Sequence, residues 1–360
     1  MSTNRASILF RCDASPDTGY ESFFQCFTLA AALQRRRRGT HFFSLLNPPS
    51  LAQQIHRANN DWQASADPVA APGDLLATLR EIYRLNAGAV IVAARNVPSD
   101  YLAALRETGV LVVAIDTVSA YDQPASLVIN PLLAPDRSMY RGARPDCEFL
   151  IGRRYTLVRP MFRRARTLRT QEPMQPFRGI VALGDDDPLG HSLERCEQLL
   201  ASSRVGKVDV MVRPIHPQLP SLRALAEQSG GRLEVAVEPS EITSRLSRAH
   251  FAITSGDGWS VEMACVGIPQ LIITQQPDHV LNAQRLEEIG AASYLGDAAS
   301  VSAGVLRNAV NGLLSDSIER GCMMRSGRKH IDARGPDRLV NGIEIMMQQS
   351  RQKVVLPTAA

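Results

Sequence analysis

No CxxC pair occurs anywhere in this 360-residue chain. Cys12, Cys26, Cys147, Cys196, Cys265 and Cys322 stand singly, which argues against a disulfide frame or a zinc site and leaves reduced, mostly buried thiols. Long apolar runs are missing too. The polar residues 1–7 lead into Ile8, Leu9 and Phe10, too short a run for a signal-peptide core or a membrane span, so the expected place is the cytoplasm without stable membrane insertion. Concentrated charge is also scarce. A net charge of +4 does not suit nucleic acid as a partner, which normally needs a dense basic face, but it is compatible with a phosphorylated ligand. The one basic run, Arg35, Arg36, Arg37 and Arg38, falls where a helix is expected to end. There it reads as favourable charge in solvent, with contact to a membrane surface as the alternative.

What is present is an ordinary globular composition, 44% hydrophobic and 21% charged, in a chain long enough for two cores. Short apolar, β-rich runs alternate with helical stretches, the pattern of parallel α/β sheets covered on both faces. The first half offers strands at 8–13, 40–46, 89–93, 111–116, 126–130 and 148–152, with helices such as 21–36 and 74–85 between them. In the latter, Leu75, Leu76, Leu79, Ile82 and Tyr83 recur at helical spacing. The charged, proline-marked stretch 163–176 carries no strand pattern and reads as a connector. Strands resume at 179–184, 207–212, 233–238, 251–255 and 270–274. The expected plan is a half at 1–162, the connector at 163–176, a second half at 177–335 and a closing helix at 336–350. Two such Rossmann-like halves would face one cleft at the carboxyl ends of their strands, where open α/β sheets bind ligands.

Three strand–loop–helix segments of the second half carry the chemistry. In FAITSGDGWSVE, 251–262, a buried strand enters a small turn and then a helix, whose exposed N–H groups and dipole bind anions. Ser255, Gly256, Gly258 and Ser260 are thus candidates for a diphosphate cradle, the plain alternative being a tight turn with Ser260 capping the helix. In GIVALGDDDPLGHSLE, 179–194, Gly184 closes a strand, and Asp185 to Asp187 are suited to capping a helix or ordering the neighbouring loop. In IPQLIITQQPDHVLNAQRLEEIGA, 268–291, His279 and Asn282 fall where the loop would meet the cleft. His279 can donate a hydrogen bond or titrate near neutrality, or simply sit at the surface.

Taken with the G-I-P at 267–269, Asn282-Ala283 and the G-A-A at 290–292, these segments resemble the donor half of GT-B glycosyltransferases. More closely, the chain is similar to the UDP-sugar hydrolases of pseudaminic acid synthesis and their spore-coat polysaccharide relatives. Also in keeping are Arg11, Asp13, Ser15 and Gly19, the L-V-I-N-P at 127–131, YTLVRPMF at 155–162, and Asp332, Arg334, Gly335 and Arg338. The resemblance spans nearly the whole chain. It implies a GT-B-like α/β fold and UDP-sugar as ligand, with no further cofactor and no metal. It places Ser255, Gly256 and Ser260 on the diphosphate and Glu262 on the ribose hydroxyls. His279 stands where the family usually has glutamine near the diphosphate and sugar, Asn282 is retained, and Tyr155 and Arg159 match residues beside the connector.

The first half departs from that pattern. Where the family hydrolases carry G-x-G-H-x-x-R, with the histidine as base toward water, this chain reads Gly19, Tyr20, Glu21, Ser22, Phe23, Phe24, Gln25. An unassisted serine is far too weak a base at pH 7 for Ser22 to replace histidine. The Asp-His-Tyr that commonly follows the strand near Val92 is Ala94, Arg95 and Asn96, and a paired aspartate has become Asp116-Thr117. The expectation is a UDP-sugar-binding protein of surface-glycan synthesis with altered or weak hydrolysis. One alternative is a glycosyltransferase with Asp13, Asp17, Glu21 or Asp116 as base. The other is a non-catalytic sensor or partner subunit. Asp13, Glu21, Ser22 and His279 are the candidate catalytic positions.

Overall fold

A computed structural model describes residues 6–117, 123–184, 187, 189–237 and 239–355. The chain runs β1 (Ile8–Cys12), α1 (Glu21–Arg35), β2 (Thr40–Ser44), α2 (Ser50–Arg57), β3 (Asp61–Ala64), α3 (Asp74–Leu85), β4 (Ala89–Ala93), α4 (Ser99–Arg106), β5 (Leu111–Ile115), β6 (Leu127–Asn130), a 3-10 turn at Arg137–Met139 and β7 (Glu148–Ile151). It continues through α5 (Pro160–Leu168), β8 (Arg178–Ala182), α6 (Ser192–Leu200), β9 (Lys207–Met211), α7 (Leu219–Gln228), β10 (Leu233–Ala236), α8 (Pro239–Arg248), β11 (Phe251–Thr254), α9 (Gly258–Val266), β12 (Gln270–Thr274), α10 (Pro277–Glu288), β13 (Ala292–Asp297), α11 (Ala303–Ser315), α12 (Ser317–His330) and α13 (Gly335–Val355). No helix among the described residues is long and apolar enough to cross a membrane. All six cysteines are unpaired, five of them buried and Cys322 exposed.

Two compact units result. The first comprises the described residues of Met1–Pro131, Pro135–Leu157 and Arg334–Ala360, and the second Leu132–Ala134 and Val158–Ala333. Each holds one sheet, ordered β3-β2-β1-β4-β5-β6-β7 in the first and β10-β9-β8-β11-β12-β13 in the second, and every strand pair is parallel. The α/β plan of two Rossmann-like halves is therefore borne out. In the second sheet, Ile180, Ala182, Ala252 and Ile272 pack into one apolar core, while Val181, Val210, Ile253 and Leu271 pack into another. Successive side chains of a strand leave on opposite faces, so both faces of this sheet are covered by helices.

The change of unit comes after Leu157, earlier than the connector expected at 163–176. Pro160 at the first helical position starts α5, and Phe162 and Ala165 are fully buried in the core of the second unit. The charges of this stretch act as helix caps: Arg166 donates to the Cys265 carbonyl at 2.6 Å and Arg169 to the Gly267 carbonyl at 3.2 Å. The closing helix is α13, a part of the first unit. It begins at Gly335, where a Cβ would lie 2.0 Å from the Thr156 carbonyl oxygen. The basic run has a partner there: Arg35 bonds Asp337 at 2.8 Å, Arg36 bonds Asn341 at 2.8 Å and Arg38 bonds Glu344 at 2.9 Å. Positions 337, 341 and 344 share one helix face, so the run, exposed at a helix end as expected, also ties α13 to the end of α1.

Candidate functional site

In the second unit β8 lies between β9 and β11. The connections leave in opposite directions on its two sides, and such a switch point opens a crevice at the carboxyl ends of the strands. Gly184 (φ +102°) follows β8, Arg213 and His216 follow β9, Ser255 to Gly258 join β11 to α9, and His279 lies in the first turn of α10 after β12. Every second-half candidate except Glu262 and Asn282, which lie within α9 and α10, thus falls at or beside this edge. Arg213 and His216 were not among the sequence candidates. Their signal was position: Arg213 directly follows the strand expected at 207–212.

The turn after β11 is built around Gly256 (φ +82°), where a Cβ would sit 3.0 Å from the His279 carbonyl oxygen and 3.2 Å from the Ala283 Cβ. Only glycine meets both the left-handed backbone and the close approach. The Gly256 N–H donates to Ser260 Oγ at 2.8 Å, and the Gly256 carbonyl accepts from Asn282 Nδ2 at 2.6 Å. Asn282 Oδ1 in turn accepts from the Leu133 N–H at 2.9 Å. Asp257 caps α9 by accepting from the Ser260 N–H at 3.2 Å. Ser260 and Asn282 are therefore committed to shaping the turn. Ser255 differs, because its hydroxyl is buried and has no hydrogen-bond partner among the described residues. A buried hydroxyl left unmade costs stability unless something completes it.

Helix α9 is buried on every side from Trp259 to Val266, which suits a sequence that is apolar apart from Ser260 and Glu262. Its last carbonyls would be orphaned in such a place. Arg166 serves Cys265 as described, and Arg328 donates to the Val266 carbonyl at 3.1 Å. Cations at this end also suit the helix dipole.

Glu262 is 3% exposed. Its Oε1 accepts from the Arg159 N–H at 2.7 Å and from Arg159 Nε at 2.9 Å, while Oε2 accepts from Nε at 2.9 Å and from Nη2. The Arg159 guanidinium carbon lies 4.3 Å from the centre of the Trp259 ring and 4.8 Å from that of Phe162. That of Arg213 lies 5.6 Å from the Trp259 ring centre. The ribose role that the family resemblance implies for Glu262 would need acceptor positions that Arg159 here occupies.

Asp187 does cap a helix. It accepts from the Ser192 N–H at 2.7 Å, the His191 N–H at 3.1 Å and Gln275 Nε2 at 2.7 Å, and His216 Nε2 lies 3.5 Å from it. Burial alone would raise its pKa, but the neighbouring His216 and the hydrogen bonds from Ser192 and Gln275 outweigh burial and hold it at about 2. Asp185 and Asp186 lie outside the described residues.

The switch point of the first unit lies between β1 and β4, and it is filled differently. Arg11 is fully buried and bonds Asp13 at 2.5 Å, Asp74 at 2.8 Å and the Asp67 carbonyl at 2.8 Å. Asp13 also accepts from the Leu45 N–H at 2.8 Å and the Val69 N–H at 2.6 Å. Both of its oxygens are thus used in holding the loops after β2 and β3, a structural duty that conflicts with the one expected of a base. Glu21, in the first turn of α1, is half-buried and accepts from Gln25 Nε2 at 3.1 Å. Ser22 is next to it and also half-buried. Asp116 is buried and accepts from Gln123 at 3.2 Å.

No protein-family model matches the sequence, and no curated protein matches it. Solved structures do resemble its fold. MurG of Acinetobacter baumannii is 17% identical at a TM-score of 0.63, covering 94% of this chain and 99% of that one. The spinosyn rhamnosyltransferase SpnG complexed with thymidine diphosphate is 16% identical at a TM-score of 0.62, covering 94% of this chain and 100% of that one. A glycosyltransferase from Rickettsia africae is 12% identical at a TM-score of 0.64, covering 96% of this chain and 99% of that one.

Proposed function

We propose that this chain is a nucleotide-sugar-dependent glycosyltransferase whose second unit holds the nucleoside diphosphate of the donor. The observation that carries this reading is the Ser255–Gly256 turn. A buried hydroxyl without a partner among the described residues and a glycine with a left-handed backbone stand together at the sheet's switch point, ahead of a buried helix N-terminus. Gly184 follows β8 with a left-handed backbone, Gly258 opens α9, and Arg213 brings positive charge to the same edge. SpnG, of the same fold, binds thymidine diphosphate, which supports a diphosphate ligand here. In the reaction, an acceptor hydroxyl attacks the anomeric carbon, the bond from that carbon to the diphosphate oxygen breaks, and the acceptor's proton passes to a base. With Asp13 committed to Arg11, Asp17, Glu21 and Asp116 remain for that role, and Glu21 is the one we test first.

The finer reading, hydrolysis of a pseudaminic-type UDP-sugar in surface-glycan synthesis, gains no support from the first unit. Ser22 replaces the family's histidine, and a positioned base is typically worth about 10²–10⁴-fold. A UDP-release assay over several UDP- and TDP-sugars, with and without acceptors, tests the proposal. Release that depends on acceptor and falls by about 10²–10⁴-fold in Glu21→Gln supports transfer. Acceptor-independent release in the parent supports the hydrolase. Nucleotide binding without release under any condition supports a non-catalytic sensor or partner subunit.

A further inference from the structure

A carboxylate offers about four acceptor positions, and in Glu262 the Arg159 backbone N–H, Nε and Nη2 converge on them. This ion pair is fixed from several sides. The Arg159 backbone is held by its own bond to Glu262 and by entry into α5, whose first residue is Pro160. The guanidinium is flanked by Trp259 and Phe162, which meet edge to face at 5.9 Å between ring centres. Freeing the carboxylate for a ligand would leave a buried charge with fewer partners and unseat Arg159 from the rings, both of them costly.

We propose that Arg159 is a specificity-determining residue: by occupying Glu262, it withdraws the carboxylate from the sugar of the nucleotide. The second unit then selects its ligand through the diphosphate and does not read the ribose 2′-hydroxyl. Deoxyribonucleoside diphosphates and their sugars become ligands as good as the ribonucleoside ones. The proposal rests on the nucleotide-binding reading given above and extends it to the class of donor.

The test compares UDP with 2′-deoxy-UDP, which differ by one hydroxyl, in titration calorimetry on the full chain. The expected result is binding of both within about threefold. A hydroxyl that bonds a buried carboxylate is commonly worth about 10–100-fold in affinity, so a tenfold or greater preference for UDP overturns the proposal and leaves nucleotide binding standing. If neither binds, the nucleotide-binding reading fails and this inference falls with it. Two variants sharpen the result. Glu262→Gln should leave the UDP to deoxy-UDP ratio near one, since the residue does not face the hydroxyl. Arg159→Lys keeps the charge but loses the planar fork, which opens acceptor positions on Glu262 and should move the ratio toward UDP by about threefold or more. A parent preference for UDP that vanishes in Glu262→Gln would show that Glu262 reads the ribose after all.

Discussion

The switch points of the two sheets occupy the same place in the same topology, yet their polar groups are spent differently. In the first unit Arg11 gathers Asp13, Asp74 and the Asp67 carbonyl into one buried network. In the second unit the turn after β11 is braced by Ser260 and Asn282, and Ser255 keeps a buried hydroxyl with no partner among the described residues. Around Arg11 the charged groups serve one another, whereas the turn after β11 is braced around an open valence. A shared topology therefore locates candidate sites, and only an account of each donor and acceptor tells a strut from a binding surface.

The largest expected effect separates the two edges by stability. Arg11→Met strands Asp13 and Asp74 in the interior and should cost the first unit about 3–5 kcal/mol. The second unit should keep its UDP affinity, as seen by chemical denaturation beside calorimetry. Next, Gly256→Val forces a branched side chain into a left-handed backbone beside the His279 carbonyl, at about 1–3 kcal/mol of strain. Nucleotide binding should disappear, whereas Gly19→Ala, at a positive φ in the first unit, should leave it unchanged. Retained binding in Gly256→Val would erase the contrast between the edges.

Two buried carboxylates of the second unit should respond to pH in opposite senses. Asp187, held at about 2, contributes stability that is complete above the ordinary carboxylate pKa of about 4 and is lost as pH falls toward 2. Asp187→Asn should cost about 1–3 kcal/mol at neutral pH and weaken that acid dependence. Asp209 lies 3.3 Å from Arg178 and 3.2 Å from Arg245. Burial, the largest influence, outweighs these cations and raises its pKa to about 6. Its contribution is complete below about pH 4 and is lost as pH rises through 6. Melting curves of Asp209→Asn should therefore vary less between these values than those of the parent. The smallest effect is expected from Ser22→Ala, which should leave both UDP affinity and turnover within about twofold.

The fold was legible because fully buried parallel strands are nearly continuous apolar runs. β3 and β13 escaped notice for the converse reason. Both are edge strands, reading Asp61-Trp62-Gln63-Ala64 and Ala292 to Asp297, and they are largely exposed or half-buried, so no apolar run marks them. The arginines were legible only in part. Arg35 to Arg37 are exposed at the end of α1, as expected, and the 163–169 stretch looks like a connector, but sequence shows the cation and not its partner. Their partners are Asp337, Asn341 and Glu344 on α13, and the carbonyls of Cys265 and Gly267. In the site, the glycine and serine turn was visible as a pattern of small residues after a strand. That Asn282 and Ser260 brace it, and that Arg159 occupies Glu262, depends on side chains meeting across roughly 100 or more positions of chain in the cases of Leu133 and Arg159, which no local motif encodes.

The central claim is that nucleotide binds at the turn after β11 and not at the Arg11 edge of the first unit. Amide hydrogen exchange of the full chain with and without saturating UDP tests it most directly. The account predicts slowed exchange in peptides covering 251–262, with peptides covering 11–22 unchanged. Unchanged exchange at 251–262, or protection confined to 11–22, would contradict it.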